Sequence, residues 1–367
     1  MEGNSSGLQF QKYSIQSVDI VFAGLYLLVQ VFGLTGNALV ITVVRKSRSM
    51  YTTTNVLLVN LAVADILTLV TCPRNGYLLA ITLDHPKGLG GDILCKFLTG
   101  NAIVGISMTV SSVTLTVLAL ERYRALLRPL NRHLVVSLEN VQYVISGIWI
   151  MSLIVNIPDF IENKYSDRFV KCVCPFSLEV VKDSTVHVAC TVFFIGIVPF
   201  LVLAFCYTQI LRGIFFTKEI CSQTMNFQDL ENKKRLARLL LSVTIAFYIC
   251  YIPYGAYFVY LLIQQRKIII QYYDTHYLLL KLFEFLLVCS CTLNPILYAF
   301  QSSNYRNGFK EACSCCCTRK KIRLRTSIAL VSTRRIGCET GAEIVSFRKQ
   351  TMKKGEMMEK NKTFSNL

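Results

Sequence analysis

Seven long apolar runs constrain this chain more than any other feature of its sequence. A bilayer core about 30 Å thick is crossed by roughly 20 apolar residues in a helix, so each run is long enough to span a membrane. With 53% hydrophobic residues over 367 positions, the chain is also more apolar than a soluble domain needs to be. The sequence therefore predicts an all-α membrane protein, a seven-transmembrane helix bundle. Its segments 1 to 7 lie at about residues 20–44, 54–82, 97–127, 141–160, 185–212, 236–263 and 276–300.

The basic residues indicate which way the bundle faces. Lysine and arginine are enriched in short loops on the cytoplasmic side of a membrane. Most of the 39 in this chain lie in the loops after segments 1, 3 and 5 and in the C-terminal tail, which share one side of the membrane. The N-terminus is thus expected outside the cell, and anionic lipid of the inner leaflet is an expected partner of the basic loops. Residues 1–18 lack a basic stretch followed by an apolar core, so we expect no cleavable signal peptide.

The predicted domains are an extracellular N-terminus at 1–18, the membrane bundle at 19–300, an amphipathic helix with a cysteine cluster at 301–317, and a disordered cytoplasmic tail at 318–367.

The 15 cysteines do not predict a single disulfide framework, because most lie in spans or in the reducing cytosol. On the oxidising side we place Cys95, Cys172 and Cys174. The last two belong to residues 168–174, whose alternating pattern predicts a β-hairpin in the second extracellular loop. Asn4 begins a glycosylation sequon on the expected outer side.

After segment 7 a short amphipathic helix is predicted to lie on the membrane. Tyr305, Phe309 and Ala312 recur at helical spacing beside basic residues. Cytosolic cysteines beside a membrane are usual palmitoylation sites, and here they are Cys313, Cys315, Cys316 and Cys317. A zinc cluster is the alternative interpretation, although no histidine or second cysteine pair accompanies these four.

Segment 2 carries a carboxylate, Asp65, near the middle of its apolar run. Such a group costs about 2.5–3.5 kcal/mol at mid-bilayer on insertion scales, so it needs a partner in the bundle or a bound ion. The polar residues available in other segments are Asn37, Ser111, Ser290 and Asn294. Two interpretations stay open at this point: a plain interhelical hydrogen-bond network and an ion-linked switch.

Short motifs occur in fixed order, one set in each segment. They are Gly36-Asn37, Leu61-Ala62-Val63-Ala64-Asp65, Glu121-Arg122-Tyr123, Trp149, Pro199 with Tyr207, Phe247 with Cys250-Tyr251-Ile252-Pro253, and Asn294-Pro295-Ile296-Leu297-Tyr298. Together they resemble the signature of the rhodopsin-like (class A) G-protein-coupled receptors, and the chain is most similar to the neuropeptide-receptor branch. The resemblance covers residues 20–310. It implies a receptor at the plasma membrane, not an enzyme, that converts binding of an extracellular ligand into activation of a heterotrimeric G protein.

The resemblance also implies which residues change during activation. Arg122 would exchange its pair with Glu121 for contacts with a G-protein helix or with Tyr207. The rest of this coupling set is Tyr123, Asn294, Pro295 and Tyr298. A transmission switch in segment 6 would consist of Phe247, Tyr251 and Pro253.

Two further sites follow from the resemblance. Asp65, Ser111 and Asn294 would form a sodium pocket that favours the inactive state, with sodium as an allosteric ion and no other cofactor. Cys95 would form a disulfide with the second outer loop, either with Cys172 or with Cys174.

The chain departs from the family pattern at three places. Tyr251 stands where tryptophan is usual in segment 6. The start of segment 6 has basic residues at 233–235 where some relatives place an acid that pairs with Arg122, so basal signalling is expected to be appreciable. Two more residues than usual separate Cys95 from Arg122, which predicts an extra loop residue or bulge at the outer end of segment 3.

The ligand is constrained by what the pocket positions lack. The resemblance, counted back from Arg122, implies that Val104 stands where aminergic receptors have their amine-binding aspartate. Val288 stands where opsins have the retinal lysine, so an amine receptor and an opsin are disfavoured. The expected pocket, with its hairpin lid, favours a peptide such as a neuropeptide. A lipid or other small molecule, and an atypical scavenging receptor without G-protein signalling, stay open. The pocket candidates are Arg74, Val104, Met108, Tyr251, Tyr254, Lys281 and Glu284.

Other classes of membrane protein fit the sequence less well. We find no internal repeat of the kind seen in coupled transporters, and the spans hold no paired aspartates or histidine cluster for catalysis. Arrestin and receptor kinases are expected partners of the Ser/Thr-rich tail, and nucleic acid is not.

Overall fold

The structure, a computed structural model, describes residues 17–72, 86–127, 136–166, 171–178, 180–215 and 227–314. Among these residues, six helices are long and apolar enough to cross a membrane, and a further apolar helix, Val141–Val155, is shorter. The predicted seven-helix fold is confirmed. Among the described residues, those up to Phe309 form one compact unit that contains all seven helices.

The seven helices are named α1 to α7 in chain order. Their bounds are Ser17–Lys46, Thr53–Thr71, Ala102–Leu127, Val141–Val155, Val198–Phe215, Phe227–Ile263 and Tyr273–Gln301. Shorter helical pieces lie at Arg48–Met50, Gly88–Leu94, Cys95–Thr99, Ile157–Glu162, Thr185–Thr191, Val192–Ile197 and Arg266–Gln271. Residues 303–314 are also helical, as the amphipathic pattern predicted.

Helix α3 is the central helix of the bundle. It packs against α2, α4, α5 and α6, while α1 packs against α2 and α7, and α6 packs against α7. Every residue from Ile106 to Ser112 is buried, which an amphipathic helix at the edge of a bundle does not show. The outer helices instead expose large apolar side chains, as expected of surfaces that face lipid: Leu27, Phe32, Phe194, Phe205 and Ile249.

The helix limits differ from the predicted spans at three places. Helix α2 ends at Thr71, and residues 73–82 of its predicted span lie outside the described residues. Helix α4 is interrupted at Asn156 and continues as Ile157–Glu162, because Pro158 is accommodated in the first turn of a new helix. Helix α6 begins at Phe227 rather than near residue 236, so the polar residues ahead of its apolar run are helical as well.

The predicted bulge at the outer end of segment 3 is confirmed. Cys95–Thr99 forms a turn of wide helix, in which the Gly100 N–H donates to the Cys95 carbonyl at 2.7 Å. The chain then bends at Gly100 before α3 begins at Ala102. A side chain at Gly100 would collide with the Cys95 carbonyl oxygen and the Asn163 amide, so glycine is required there.

The loop between α4 and α5 contains the predicted β-hairpin. Strand β1, Lys164–Ser166, pairs antiparallel with β2, Lys171–Val173, and Tyr165 lies opposite Cys172. The first strand thus begins earlier than the alternating stretch from which the hairpin was predicted. The Tyr165 N–H donates to Asp92 Oδ1 at 2.9 Å, which attaches the hairpin to the short helix Gly88–Leu94.

Two prolines leave carbonyl groups that neighbouring helices use. Proline has no N–H, so the carbonyl four residues before it loses its helical partner. In α7 this carbonyl belongs to Cys291, four residues before Pro295, and it accepts from Asn37 Nδ2 of α1 at 2.9 Å. Gly36 makes the approach possible, because a side chain there would collide with the Pro295 ring.

The second such carbonyl belongs to Ile195, four residues before Pro199. It accepts from Ser112 Oγ of α3 at 3.3 Å. In both cases a proline joins its helix to a neighbour.

Candidate functional site

The centre of the bundle holds the carboxylate of Asp65. Its Oδ2 accepts from Asn294 Nδ2 at 2.8 Å, and Ser111 and Cys291 lie beside the same carboxylate. Asp65, Ser111 and Asn294 are each 3% exposed. The structure therefore brings the three predicted sodium-site residues of α2, α3 and α7 into one cluster.

The other two polar candidates contact different groups. Asn37 donates to the carbonyls of Gly33 and Cys291, and Ser290 donates to the Leu287 carbonyl at 2.7 Å. They serve helix packing in this arrangement. The cluster around Asp65 is consequently smaller than the set of polar residues in the sequence.

The donor set around Asp65 fits a small hard cation. It offers the Asp65 carboxylate and the Ser111 hydroxyl, oxygen donors of the kind that hard cations prefer, while Asn294 faces the carboxylate with its Nδ2. Within the described part of the chain, no group of three or more His, Cys, Asp or Glu residues could hold a metal ion. The charge of the site thus suits a monovalent ion better than a transition metal.

Near the C-terminal end of α3, Arg122 is paired with its neighbour and with α2. Its guanidinium forms an ion pair with Glu121 through both Nε, at 2.6 Å, and Nη2. Nη2 also donates to Thr54 Oγ1 at 2.9 Å, and that oxygen lies 3.4 Å from Glu121 Oε2. Arg122 is 7% exposed, so these charge-assisted bonds offset the cost of burying it.

Tyr207 and Tyr298, two tyrosines of the predicted coupling set, contact residues other than Arg122. The Tyr207 hydroxyl lies 3.2 Å from Thr244 Oγ1 of α6. The Tyr298 ring stacks on Tyr305 at 5.1 Å, and the Tyr305 hydroxyl donates to Asn55 Oδ1 at 3.1 Å. Tyr123, the last residue of the Glu121 motif, lies against Phe205.

The predicted transmission residues form one contact in α6. The Phe247 ring stacks on Tyr251 with 4.5 Å between centroids and 21° between planes. Pro253 lies inside the same helix, two residues further on. A tyrosine in place of the usual tryptophan therefore keeps an aromatic stack at this level.

The pocket candidates fall into two groups. Val104 and Met108 are buried in an apolar cluster of α1, α2, α3 and α7, against which Tyr251 and Tyr254 pack. Lys281 is 2% exposed, and its ammonium lies 4.4 Å from the centroid of the Tyr277 ring. Glu284 is partly buried one turn further along α7, and Arg74 lies outside the described residues. The floor of the predicted pocket is thus apolar and aromatic, and charged groups lie towards its outer end.

The disulfide of the second outer loop joins Cys95 to Cys172, with 5.3 Å between their Cα atoms. This decides between the two candidates that the sequence left open. Cys174 keeps a free thiol, which lies 3.2 Å from Ser177 Oγ. Burial raises the pKa of the Cys174 thiol to about 11, so it stays protonated and unreactive at neutral pH.

Three polar contacts were not predicted from the sequence. Thr54 and Thr244, described above, are hydroxyl residues that hold Arg122 and Tyr207. Asn60 of α2 is the third: it donates to Thr114 of α3 at 2.9 Å and accepts from Trp149 Nε1 of α4 at 2.9 Å. A polar side chain in or beside an apolar run was the available sequence signal for each of these residues.

Some predicted modification sites cannot be placed. Asn4 and the cysteines at 315–317 lie outside the described residues. Cys313 is exposed on the helix at residues 303–314. Exposure is what acylation of that residue requires.

Comparison with known proteins decides the family. The model of the family described as "7 transmembrane receptor (rhodopsin family)" matches residues 36–298. The chain belongs to this family. It is a G-protein-coupled receptor, not an enzyme, and a multi-pass membrane protein.

The receptor is similar in sequence to receptors for peptides. It is 25% identical over 313 residues to the tachykinin-like peptides receptor 86C of Drosophila melanogaster, a match that covers 81% of this chain and 59% of that protein. The human neuropeptide Y receptor type 2 is 26% identical over 309 residues, which is 81% of this chain and 77% of that protein. The galanin receptor 2b of Danio rerio is 25% identical over 92% of this chain and 86% of its own length.

The fold of the receptor is also similar to that of a solved structure. Squid rhodopsin superposes with a TM-score of 0.65 at 21% sequence identity, covering 83% of this chain and 89% of rhodopsin. At this identity the likeness concerns the fold alone.

Proposed function

We propose that this receptor lies in the plasma membrane, binds an extracellular peptide, and couples that binding to nucleotide exchange on a heterotrimeric G protein. The observation that carries the proposal is its similarity to receptors named for tachykinin-like peptides, neuropeptide Y and galanin, over four fifths or more of the chain. In the proposed orientation the N-terminus is extracellular and the C-terminus cytoplasmic. Arrestin and receptor kinases are proposed partners of the tail.

The extracellular half of the bundle supports a peptide ligand. The hairpin is fixed at two points, by the Cys95–Cys172 disulfide and by the bond between Tyr165 and Asp92. The apolar and aromatic floor around Val104, Met108 and Tyr254 can take an anchoring side chain of a peptide.

The cytoplasmic half supports a receptor at rest. Arg122 is bonded to Glu121 and Thr54, and Tyr207 is bonded to Thr244 of α6. Activation would require Arg122 to leave Glu121 and Tyr207 to leave α6. Ligand binding above Tyr251 would favour that change through the Phe247 stack, which connects the pocket floor to the middle of α6.

We also propose that Asp65, Ser111 and Asn294 hold a sodium ion in the resting receptor. A bound sodium ion would neutralise the Asp65 carboxylate. Asn294 would keep α7 close to α2 through its bond to Asp65, and this closeness would oppose the rearrangement around Tyr298. Cys313 is proposed as an acylation site next to the membrane.

The proposal is tested by G-protein activation in cells that express the chain. Cells are challenged with a peptide extract before and after protease digestion, and surface expression is measured for each variant. A response that digestion abolishes, and that Arg122→Ala also abolishes, supports a peptide receptor. A response that survives digestion would contradict the peptide and indicate a lipid or other small molecule. Silence under every condition would contradict coupling and indicate a scavenging receptor.

A further inference from the structure

The cytoplasmic end of α7 has several carbonyl groups without a helical partner. The last four carbonyls of any helix lack an N–H donor from their own helix. Those of Ala299 and Phe300 accept from Arg306 at 3.2 and 3.0 Å, and that of Tyr298 accepts from the Ser302 N–H at 3.0 Å. These three are satisfied by residues that directly follow α7.

The fourth carbonyl takes its donor from α6. The Gln301 carbonyl oxygen accepts from Arg235 Nε at 3.2 Å and Nη2 at 3.1 Å. The C-terminal end of a helix carries a partial negative charge, and the planar guanidinium presents two donors to it at once. The end of α7 thus attracts a cation from the neighbouring helix.

The side chain of the same residue makes a second contact with α6. Gln301 Oε1 lies 2.9 Å from Ser242 Oγ, and the single hydroxyl proton of Ser242 is shared between this oxygen and the Leu239 carbonyl at 2.8 Å. Both side chains are partly buried. Arg235 and Ser242 are seven residues apart, which places them on one face of α6 about two turns from each other. Gln301 therefore holds this face of α6 at two levels, once by its main chain and once by its amide.

From these contacts we infer that Gln301 is a positioning residue that holds the cytoplasmic half of α6 against α7 in the resting receptor. The inference rests on the proposed coupling to a G protein. The start of α6 has basic residues where some relatives have an acid to pair with Arg122, and Arg122 is bonded to Glu121 and Thr54 instead. The contacts of Gln301 supply α6 with a different attachment, to α7.

The attachment has a consequence for signalling. Any activation step that moves the cytoplasmic end of α6 away from α7 must break the bonds to Gln301. Loss of one bond destabilises the resting arrangement and leaves the active one unchanged, so the active population rises. A merely structural residue would lower activity when replaced.

The first test compares basal nucleotide exchange for the full-length receptor and its variants in nanodiscs. Gln301→Leu and Ser242→Ala each remove the side-chain bond, and each is expected to raise basal exchange about threefold, the average effect of one interhelical hydrogen bond in a membrane protein. The double variant is expected to give no more than either single change, because both remove the same bond. Gln301→Glu keeps an acceptor oxygen and is the matched control. Unchanged or lower basal exchange in both single variants, or fully additive effects, would overturn the inference.

The second test measures the position of α6 without a G protein. Spin labels are placed at Arg238→Cys on α6 and Tyr143→Cys on α4, both exposed positions, after the exposed native cysteines are changed to serine. Adding Gln301→Leu is expected to increase the population at longer distances. An unchanged distance distribution would contradict the positioning role.

The two tests separate the inference from the proposed function. A distance change without exchange by any variant would support the positioning of α6 and contradict coupling to a G protein. Exchange that depends on Arg122 but not on Gln301 would support coupling and contradict the positioning role.

Discussion

Replacement of Thr54 by valine is expected to raise the basal activity of the receptor. The Thr54 hydroxyl accepts from Arg122 Nη2 at 2.9 Å and lies 3.4 Å from Glu121 Oε2. Valine has nearly the same shape as threonine but no hydroxyl, so packing is kept while the bond is lost. Thr54 is 4% exposed, and water does not readily replace the missing acceptor. Only the resting arrangement, in which Arg122 points to Thr54, is weakened.

The size of the effect follows from the bond that is removed. Interhelical hydrogen bonds in membrane proteins contribute about 0.6 kcal/mol on average and up to about 1.7 kcal/mol. Since 1.4 kcal/mol corresponds to a factor of about ten, the ratio of active to resting receptor should rise between about 3-fold and about 18-fold. With about 1% of the receptor active at rest, the active share would become about 3% to about 15%. Because the donor is the charged guanidinium of Arg122, we expect an increase in the upper half of this range.

Basal nucleotide exchange on G protein, normalised to the amount of folded receptor, measures this change. Thr54→Ser keeps the hydroxyl and should behave like the unmodified receptor. Equal basal exchange for valine and serine variants would refute the argument, because it would mean that Arg122 does not depend on Thr54 in the resting state.

Three further predictions concern the ion, the disulfide and the helix packing. Sodium chloride is expected to weaken agonist binding relative to choline chloride at equal ionic strength, and Asp65→Asn should abolish the difference; a receptor indifferent to sodium would contradict the proposed site. Cys172→Ser should destabilise the extracellular half by about 2–5 kcal/mol, while Cys174→Ser should leave thermal unfolding and ligand binding unchanged; equal effects of the two would contradict the pairing. Asn60→Leu removes two interhelical bonds and should lower stability by about 1 kcal/mol, seen as a fall of about 2–4 °C in Tm. An unchanged Tm would mean that lipid or neighbouring groups replace both bonds.

The helices were predictable because the bilayer imposes a minimum length on each apolar run. Their ends were less predictable, for reasons that differ from place to place. Helix α6 begins at Phe227, ahead of its apolar run, and hydropathy gives no signal for a helical segment that is polar. Helix α4 is interrupted at Asn156 although its apolar run continues, because the proline that follows must start a new turn.

The choice between Cys172 and Cys174 could not be made from spacing. Residues two apart in a strand point to the same side, so both side chains were equally plausible partners for Cys95. The structure selects Cys172 because that residue lies within β2, whereas Cys174 lies just beyond the strand.

Among the site residues, Asp65, Arg122, Ser111 and Asn294 were predicted, whereas Thr54, Thr244 and Gln301 were missed. Asp65 and Arg122 are costly to bury, so their positions alone indicate a role. Thr54 and Gln301 are ordinary at the ends of membrane helices, and their roles appear only when a neighbouring helix brings a partner to them.

The carbonyl groups that the prolines set free have a consequence for protein engineering. Stabilising a membrane protein by changing proline to alanine restores an N–H to the helix, and in α7 that N–H would compete with Asn37 for the Cys291 carbonyl. Pro295 and Asn37 are thus structurally coupled through the Cys291 carbonyl, although they are far apart in the chain. A design or a diverging lineage that changes one of them is expected to need a compensating change in the other.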